Sequence, residues 1–205
     1  MFDLPTIIVE NKIDAEAIPP AFHTYYEGMM TCQGVPDVMM LEVVQLRRQC
    51  HIKIAKTCNK GWGVFLTGSE TVARGTFIGL YAGQYIMKEE GIHHMASTGS
   101  SYLFDLDFYH LQDVNPSYMI DGERMGNFAR YMNHSCEANC CVEACYIDEG
   151  NLAKPLVAIF ANEDINPNEE LTLSYFGGIL PSANSPSTGV RCECKKPLCV
   201  GYIFP

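Results

Sequence analysis

The end of the chain constrains the fold more than any other stretch. Cys192, Cys194 and Cys199 stand as C-x-C-x4-C within the last fourteen residues. A segment this short cannot bury a core, so three clustered thiols there point to a bound soft cation and outweigh a disulfide or reduced-thiol reading. Structural zinc is tetrahedral and takes four ligands, and the tail supplies three. The fourth has to come from elsewhere, so the chain end must return to the body of the protein. Cys136, Cys140, Cys141, Cys145, Cys32, Cys50 and Cys58 all stay open as that ligand, because spacing does not choose among them. The stretch "GGILPSANSPSTG" (177–189), rich in glycine, serine and proline, reads as the linker that allows the return.

Ahead of that linker the texture is that of short strands. "HIKIA" (51–55), "WGVFLT" (62–67), "TFIGLYAGQYI" (76–86), "YLFDL" (102–106), "YMID" (118–121), "CCVEACYI" (140–147), "PLVAIFA" (155–161) and "ELTLSY" (170–175) are rich in β-branched and aromatic residues and are broken by turn formers. Helices are expected only at 87–95 and 126–132. The expected fold class is mainly β, a compact domain of several small sheets with short helices. Residues 1–47 show no periodic pattern. Cys140, Cys141 and Cys145 fall on an expected strand, where cysteine acts as a small hydrophobe.

Of 205 residues, 24 are acidic and 14 basic, a formal net charge of -10. Gripping a phosphate backbone needs lysine and arginine, so no direct nucleic-acid contact is expected. The same acidity suits a basic peptide, although plain solubility accounts for it equally well. The first residues, "MFDLPTIIVE", lack a signal-peptide pattern, and no apolar run approaches membrane-spanning length. Ten cysteines in such a chain favour metal or reduced thiols over a disulfide scaffold, which places it in nucleus or cytosol.

The stretch "YMNHSCEANC" (131–140) sets an amide, an imidazole, a hydroxyl and a thiol side by side. All four need partners. "KGWGVF" (60–65), "YLFDLD" (102–107), "NHSC" (133–136), "EELTLSYFG" (169–177) and "CECKKPLCVGYI" (192–203) supply them. In that order they resemble the motifs of SET-domain lysine methyltransferases over residues 48–205. "YLFDLD" and the post-SET tail are most similar to the suppressor-of-variegation branch, which methylates the ninth-residue lysine of histone H3. The resemblance divides the chain into an N-terminal segment 1–47, a SET domain 48–178, a linker 179–190 and a zinc-bound post-SET segment 191–205. It implies the SET β-clip with its pseudoknot, in which the NHSC segment threads beneath a loop of the closing motif.

The resemblance also implies roles. Lys60, Gly61, Trp62, Asn133 and His134 would hold S-adenosylmethionine, and Tyr102 and Arg130 would join them. Ser135 would tie its turn together, and Cys136 would be the fourth zinc ligand beside Cys192, Cys194 and Cys199. Tyr175 would be the principal catalytic tyrosine, with Tyr102 lining the lysine channel. Leu173 stands where the family's aromatic affects product state, and a smaller side chain without oxygen favours di- or trimethylation. Asp105, Asp107, Glu169 and Glu170 are either solvated charges or an acidic rim for a basic tail. Phe104, Phe160 and Leu171 read as core.

The branch's dense pre-SET cysteine cluster is missing, since only Cys32, Cys50 and Cys58 precede the core. No reader module is visible, so chromatin targeting would fall to a partner. The function expected from these residues is methyl transfer from S-adenosylmethionine to a lysine of a histone H3 tail. The rivals are a methyltransferase for a non-histone protein, a catalytically silent SET module that binds peptides or partners, and a zinc-stabilised β module.

Overall fold

The computed structural model describes residues 7–8, 50–99, 102–108, 117–145, 153–176 and 190–203. The segment 9–49 and most of the linker lie outside these residues. In chain order the elements are β1 (Ile7–Ile8), β2 (His51–Lys56), β3 (Trp62–Thr67), β4 (Phe77–Tyr81), β5 (Gln84–Met87), α1 (Lys88–Thr98), β6 (Leu103–Asp105), β7 (Tyr118–Asp121), β8 (Met125–Gly126), a 3-10 turn (Phe128–Tyr131), β9 (Asn133–His134), β10 (Cys140–Cys145), β11 (Leu156–Ala161), β12 (Glu170–Leu173), β13 (Val190–Arg191) and β14 (Tyr202–Ile203). The class is mainly β in several small sheets, as the strand pattern predicts. Among the described residues no helix is long and apolar enough to cross a membrane.

The described residues gather into two units. One draws on 48–78, 131–142 and 159–205, the other on 79–130 and 143–158 together with Ile7 and Ile8. β10, β11 and β4 form a three-stranded sheet in that order.

The first unit is built on a four-stranded sheet, β2-β3-β12-β9. β2 and β3 form a hairpin in register from His51↔Thr67 to Lys56↔Trp62. Its turn closes where Thr57 N–H donates to Gly61 O (2.8 Å) and Lys60 N–H donates to Thr57 Oγ1 (2.9 Å). Gly61 has φ +76°, a left-handed value that side chains resist, so glycine is what lets the turn close there. β12 runs antiparallel to β3 (Leu171↔Val64) and parallel to β9 (Leu173↔His134). Alternation along β3 buries Val64 and Leu66, which meet the buried Leu171, Ile78, Ile159, Phe160 and Ile165 in one core. Phe77 and Phe160 pack as a tilted ring pair, centroids 5.6 Å apart.

The second unit holds the sheet β5-β7-β6, with α1 following β5 directly. Tyr118–Asp121 forms β7 with the bounds expected from its run of strand-forming residues. The run expected as one strand over 76–86 is two, β4 and β5. At the break a Cβ on Gly83 would collide with Asp121 O, so the backbone passes where no side chain fits. The helix expected at 87–95 spans Lys88–Thr98, opening with Glu89 and Glu90 and stopping at left-handed Gly99, whose N–H donates to Met95 O. The helix expected at 126–132 is only the 3-10 turn Phe128–Tyr131. Asn127 explains this: its Oδ1 accepts from Ala129 N–H (3.1 Å) while its Nδ2 donates to Leu80 O (2.7 Å), tying the turn's start to β4.

Candidate functional site

The parallel pairing of β9 with β12 brings the central and closing motifs together. Ser135 N–H donates to Leu173 O (3.0 Å), which continues the ladder one residue past β9. Asn139 then stitches the following loop to β12, its Oδ1 accepting from Thr172 N–H (2.9 Å) and its Nδ2 donating to Glu170 O (2.9 Å). Both groups are buried, and each satisfies the other.

On the other flank of β12 lies the hairpin turn. Asn133 Nδ2 donates to Trp62 O (2.9 Å) and to Glu170 Oε1 (2.7 Å), while Lys60 Nζ pairs with Glu170 Oε2. Lys60, Trp62, Asn133 and Glu170 are thus one knot. Gly63 makes it fit, because a Cβ there would stand 2.7 Å from Glu170 Oε1 and 2.8 Å from Thr57 Cγ2. Trp62 itself is 48% exposed and lies under the Lys56 ammonium, 4.3 Å from the ring centre.

His134 is the pivot. Its Nδ1 accepts from Tyr175 N–H (3.1 Å), so in the neutral ring the proton sits on Nε2, 3.4 Å from Cys136 Sγ. Burial, followed by the Lys60 charge, pulls its pKa down to about 4, which keeps the ring neutral. The Tyr175 ring (5.3 Å) and the Phe176 ring (5.1 Å, edge-on) flank it. Tyr175 is 38% exposed, and its hydroxyl donates to Met132 O (2.8 Å). Leu173 is buried opposite His134 in the ladder. Ser135 Oγ donates to Glu137 O (2.9 Å) and accepts from Glu137 N–H (3.2 Å), closing the turn in which Cys136 sits.

The sulfurs of Cys136, Cys192, Cys194 and Cys199 all lie within 4.8 Å of one another. Cys136 and Cys192 are buried and 3.9 Å apart. Tetrahedral zinc with bonds of about 2.3 Å sets its sulfurs about 3.8 Å apart, so the four thiols fit the ion. Burial pushes the Cys136 and Cys192 thiols up. At Cys194 burial also pushes up, but main-chain hydrogen bonds from Cys136 and Lys196 and the thiols of Cys192 and Cys199 outweigh it and bring it to about 7. Left-handed Lys195 (φ 56°) and Gly201 (φ 89°) bend the tail around the cluster. Three more ties hold it: Leu198 N–H to Glu137 Oε2 (3.1 Å), Asn59 Nδ2 to Glu193 Oε2 (2.7 Å), and the two-residue ladder β13–β14.

Lys60, Gly61, Trp62, Asn133, His134, Leu173, Tyr175 and the four cysteines therefore all fall in one unit. Tyr102 and Arg130 belong to the other, where the guanidinium stacks 4.3 Å above the tyrosine ring. Tyr102 O accepts from Tyr81 Oη (3.1 Å) and from Gly122 N–H (3.0 Å). A polar cleft of about 240 Å³ opens beside the knot, lined by residues including Lys60, Ser135, Thr172, Cys194 and Lys196; of the expected cofactor contacts only Lys60 lines it.

Sequence reasoning left Glu170 as a rim charge or a solvated one; it anchors Lys60 and Asn133 instead. Asp105 likewise pairs with Lys88, and Asp107 is raised first by burial and then by the Asp105 charge. Asn59, Asn139 and Glu137 went unnoticed, since lone amides and carboxylates in loops carry no periodic signal.

The family model described as the SET domain matches residues 61–176. Su(var)3-9 of Drosophila melanogaster, a histone-lysine N-methyltransferase, is 35% identical over 170 residues, 79% of this chain and 26% of that protein. Human SUV39H2, also named a histone-lysine N-methyltransferase, is 31% identical over 210 residues, 96% of this chain and 49% of the other. This chain spans less than half of either relative. Arabidopsis thaliana SUVH6, solved in complex with SAM, superposes with a TM-score of 0.64 at 25% identity, over 80% of this chain and 35% of that one. A structure reported on the product specificity of histone lysine methyltransferases gives 0.65 at 29%, covering 80% and 59%.

Proposed function

From the premise that this chain belongs to the SET-domain family, we propose that it is a protein-lysine N-methyltransferase of the suppressor-of-variegation type. The donor is S-adenosylmethionine, the acceptor is the ninth-residue lysine of a histone H3 tail, the products are the di- and trimethylated lysine, and the place of action is chromatin in the nucleus. One observation carries the reading. Asn133 Nδ2 donates to the Trp62 carbonyl, the next residue, neutral His134, accepts from the Tyr175 backbone N–H, and the other His134 nitrogen lies against Cys136 of a thiol quartet that fits zinc.

When bound, S-adenosylmethionine supplies a sulfonium methyl that a neutral amine can attack in line. A free lysine, with a pKa of about 10.4, is almost wholly charged at pH 7. An apolar channel next to a positive sulfonium favours the uncharged amine, and no carboxylate base is required. The Tyr175 hydroxyl, held by Met132 O, is the oxygen placed to aim the amine's lone pair, the positioning that gives intramolecular reactions their advantage. His134 positions Tyr175 through the backbone N–H and does not transfer protons, because its Nδ1 lone pair is already engaged. Lys60, Gly61, Trp62 and Asn133 present the backbone and amide contacts for the donor. By family resemblance Arg130 adds a donor contact and Tyr102 lines the lysine channel. The buried, oxygen-free Leu173 leaves room for a methylated amine. Zinc on Cys136, Cys192, Cys194 and Cys199 holds the tail against β9.

Transfer of radiolabelled methyl to a panel of histone-tail peptides tests this. Incorporation confined to the ninth-residue lysine peptide, and lost in Tyr175→Phe, is expected, with di- and trimethyl products by mass spectrometry. Absence of transfer, together with Trp62 fluorescence that ignores added S-adenosylmethionine, identifies a silent module instead. Trp62 is the single tryptophan, so the optical signal has one source.

A further inference from the structure

The unit that holds α1 carries a second ligand set with no sulfur in it. His94 on α1, Asp121 at the end of β7 and Glu123 two residues later each offer one donor atom, and these lie within 4.8 Å of one another. His94 Nδ1 is 3.3 Å from Asp121 Oδ2, and His94 Nε2 is 3.2 Å from Glu123 Oε2. Glu123 N–H donates to Asp121 Oδ1 (2.8 Å), which leaves Oδ2 turned to the histidine.

The decisive atom is Glu123 Oε2. It is buried, and among the described residues it has no hydrogen-bond partner, despite an imidazole nitrogen at 3.2 Å. A buried carboxylate oxygen without a partner is costly, and native structures explain such atoms by an ion or a water. If His94 were protonated and simply clasped the two acids, its Nε2–H would donate to that oxygen, and the geometry does not provide this bond. Two donors bonded to one cation at roughly 2.0–2.2 Å stand about 3–4.4 Å apart, and the 3.2 Å from His94 Nε2 to Glu123 Oε2 falls in that range, which makes Nε2 the imidazole donor.

We propose that His94, Asp121 and Glu123 bind a divalent first-row transition-metal cation of the zinc class, at a site distinct from the four cysteines. One imidazole and two carboxylates are borderline-to-hard donors that suit such an ion, and their charge offsets it. The side chains are 25%, 14% and 35% exposed, so solvent can reach the ion and complete its shell. The ion would pin α1 to the end of β7. The inference is independent of the methyltransferase reading.

The test uses the full chain loaded at its cysteine site and freed of loosely held metal. Equilibrium dialysis against Zn2+, read by mass spectrometry of the metal, should show one further equivalent. His94→Gln and Glu123→Gln should each lose that equivalent and keep the cysteine-bound one. With Co2+ as probe, the further equivalent should add ligand-field bands without thiolate charge-transfer absorption. Wild type that takes up no further equivalent overturns the proposal, whatever the variants do. So does uptake that survives both substitutions, or cobalt bands that carry thiolate character.

Discussion

The sheet β2-β3-β12-β9 and the tail 190–203 lie in the same unit but are held by different physics. Along the sheet, backbone ladders and fully buried side chains such as Val64, Leu66 and Leu171, with Phe160 of β11 buried in the same unit, supply the stability. The tail has one two-residue ladder and large exposed apolar side chains at Val190 (70%) and Leu198 (65%). Each fully buried Val, Leu or Phe is worth roughly 1.5–3 kcal/mol. The tail has too little of that and leans on sulfur. The sheet holds itself by burial, and an ion at the four thiols would supply what the tail lacks.

The hardest test of that contrast is Cys194→Ser. Metal at structural zinc sites contributes about 10–16 kcal/mol at pH 7, so loss of one ligand should release the ion, free the tail to hydrogen exchange and abolish methyl transfer. The sheet should keep its circular dichroism. Unchanged zinc stoichiometry would break the ligand assignment. Phe160→Ala probes the other region. It should cost about 3–5 kcal/mol in denaturant unfolding, with the midpoint and not the slope moving, and leave zinc bound to the molecules that remain folded. Gly63→Ala strikes inside the sheet, at the knot of Lys60, Asn133 and Glu170, forcing a Cβ against Glu170 and Thr57. A cost of about 1–3 kcal/mol in thermal unfolding is expected, with weaker binding of S-adenosylmethionine by calorimetry. The smallest effect is expected of Glu137→Gln, which weakens the tie to Leu198 N–H by at most about 1 kcal/mol. It should show only as faster amide exchange at Leu198, with the global midpoint unmoved.

The strands β3 and β7 were legible residue for residue, because runs of β-branched and aromatic residues bounded by turn formers leave their mark in the sequence. The break at Gly83 and the short turn after Asn127 were not legible. Each depends on a group remote in sequence: the Asp121 carbonyl for one, the Leu80 carbonyl for the other. The candidate site divides in the same way. His134, Tyr175 and the cysteine tail stand in contiguous motifs, whereas Glu170 reads as one acid among 24 until Lys60 and Asn133 are found against it.

The chain's own residue order settled the mainly β class, the family and the need for a returning tail, because periodicity, motif order and the count of thiols are all local quantities. Folding brought to the tail Cys136, which spacing left open among the seven cysteines outside it and the family resemblance named, fixed the proton of His134 on Nε2, and set His94 of α1 against the carboxylates of Asp121 and Glu123. These outcomes depend on through-space distances within 4.8 Å between groups up to 63 residues apart, as from Cys136 to Cys199, and such distances leave no trace along the chain.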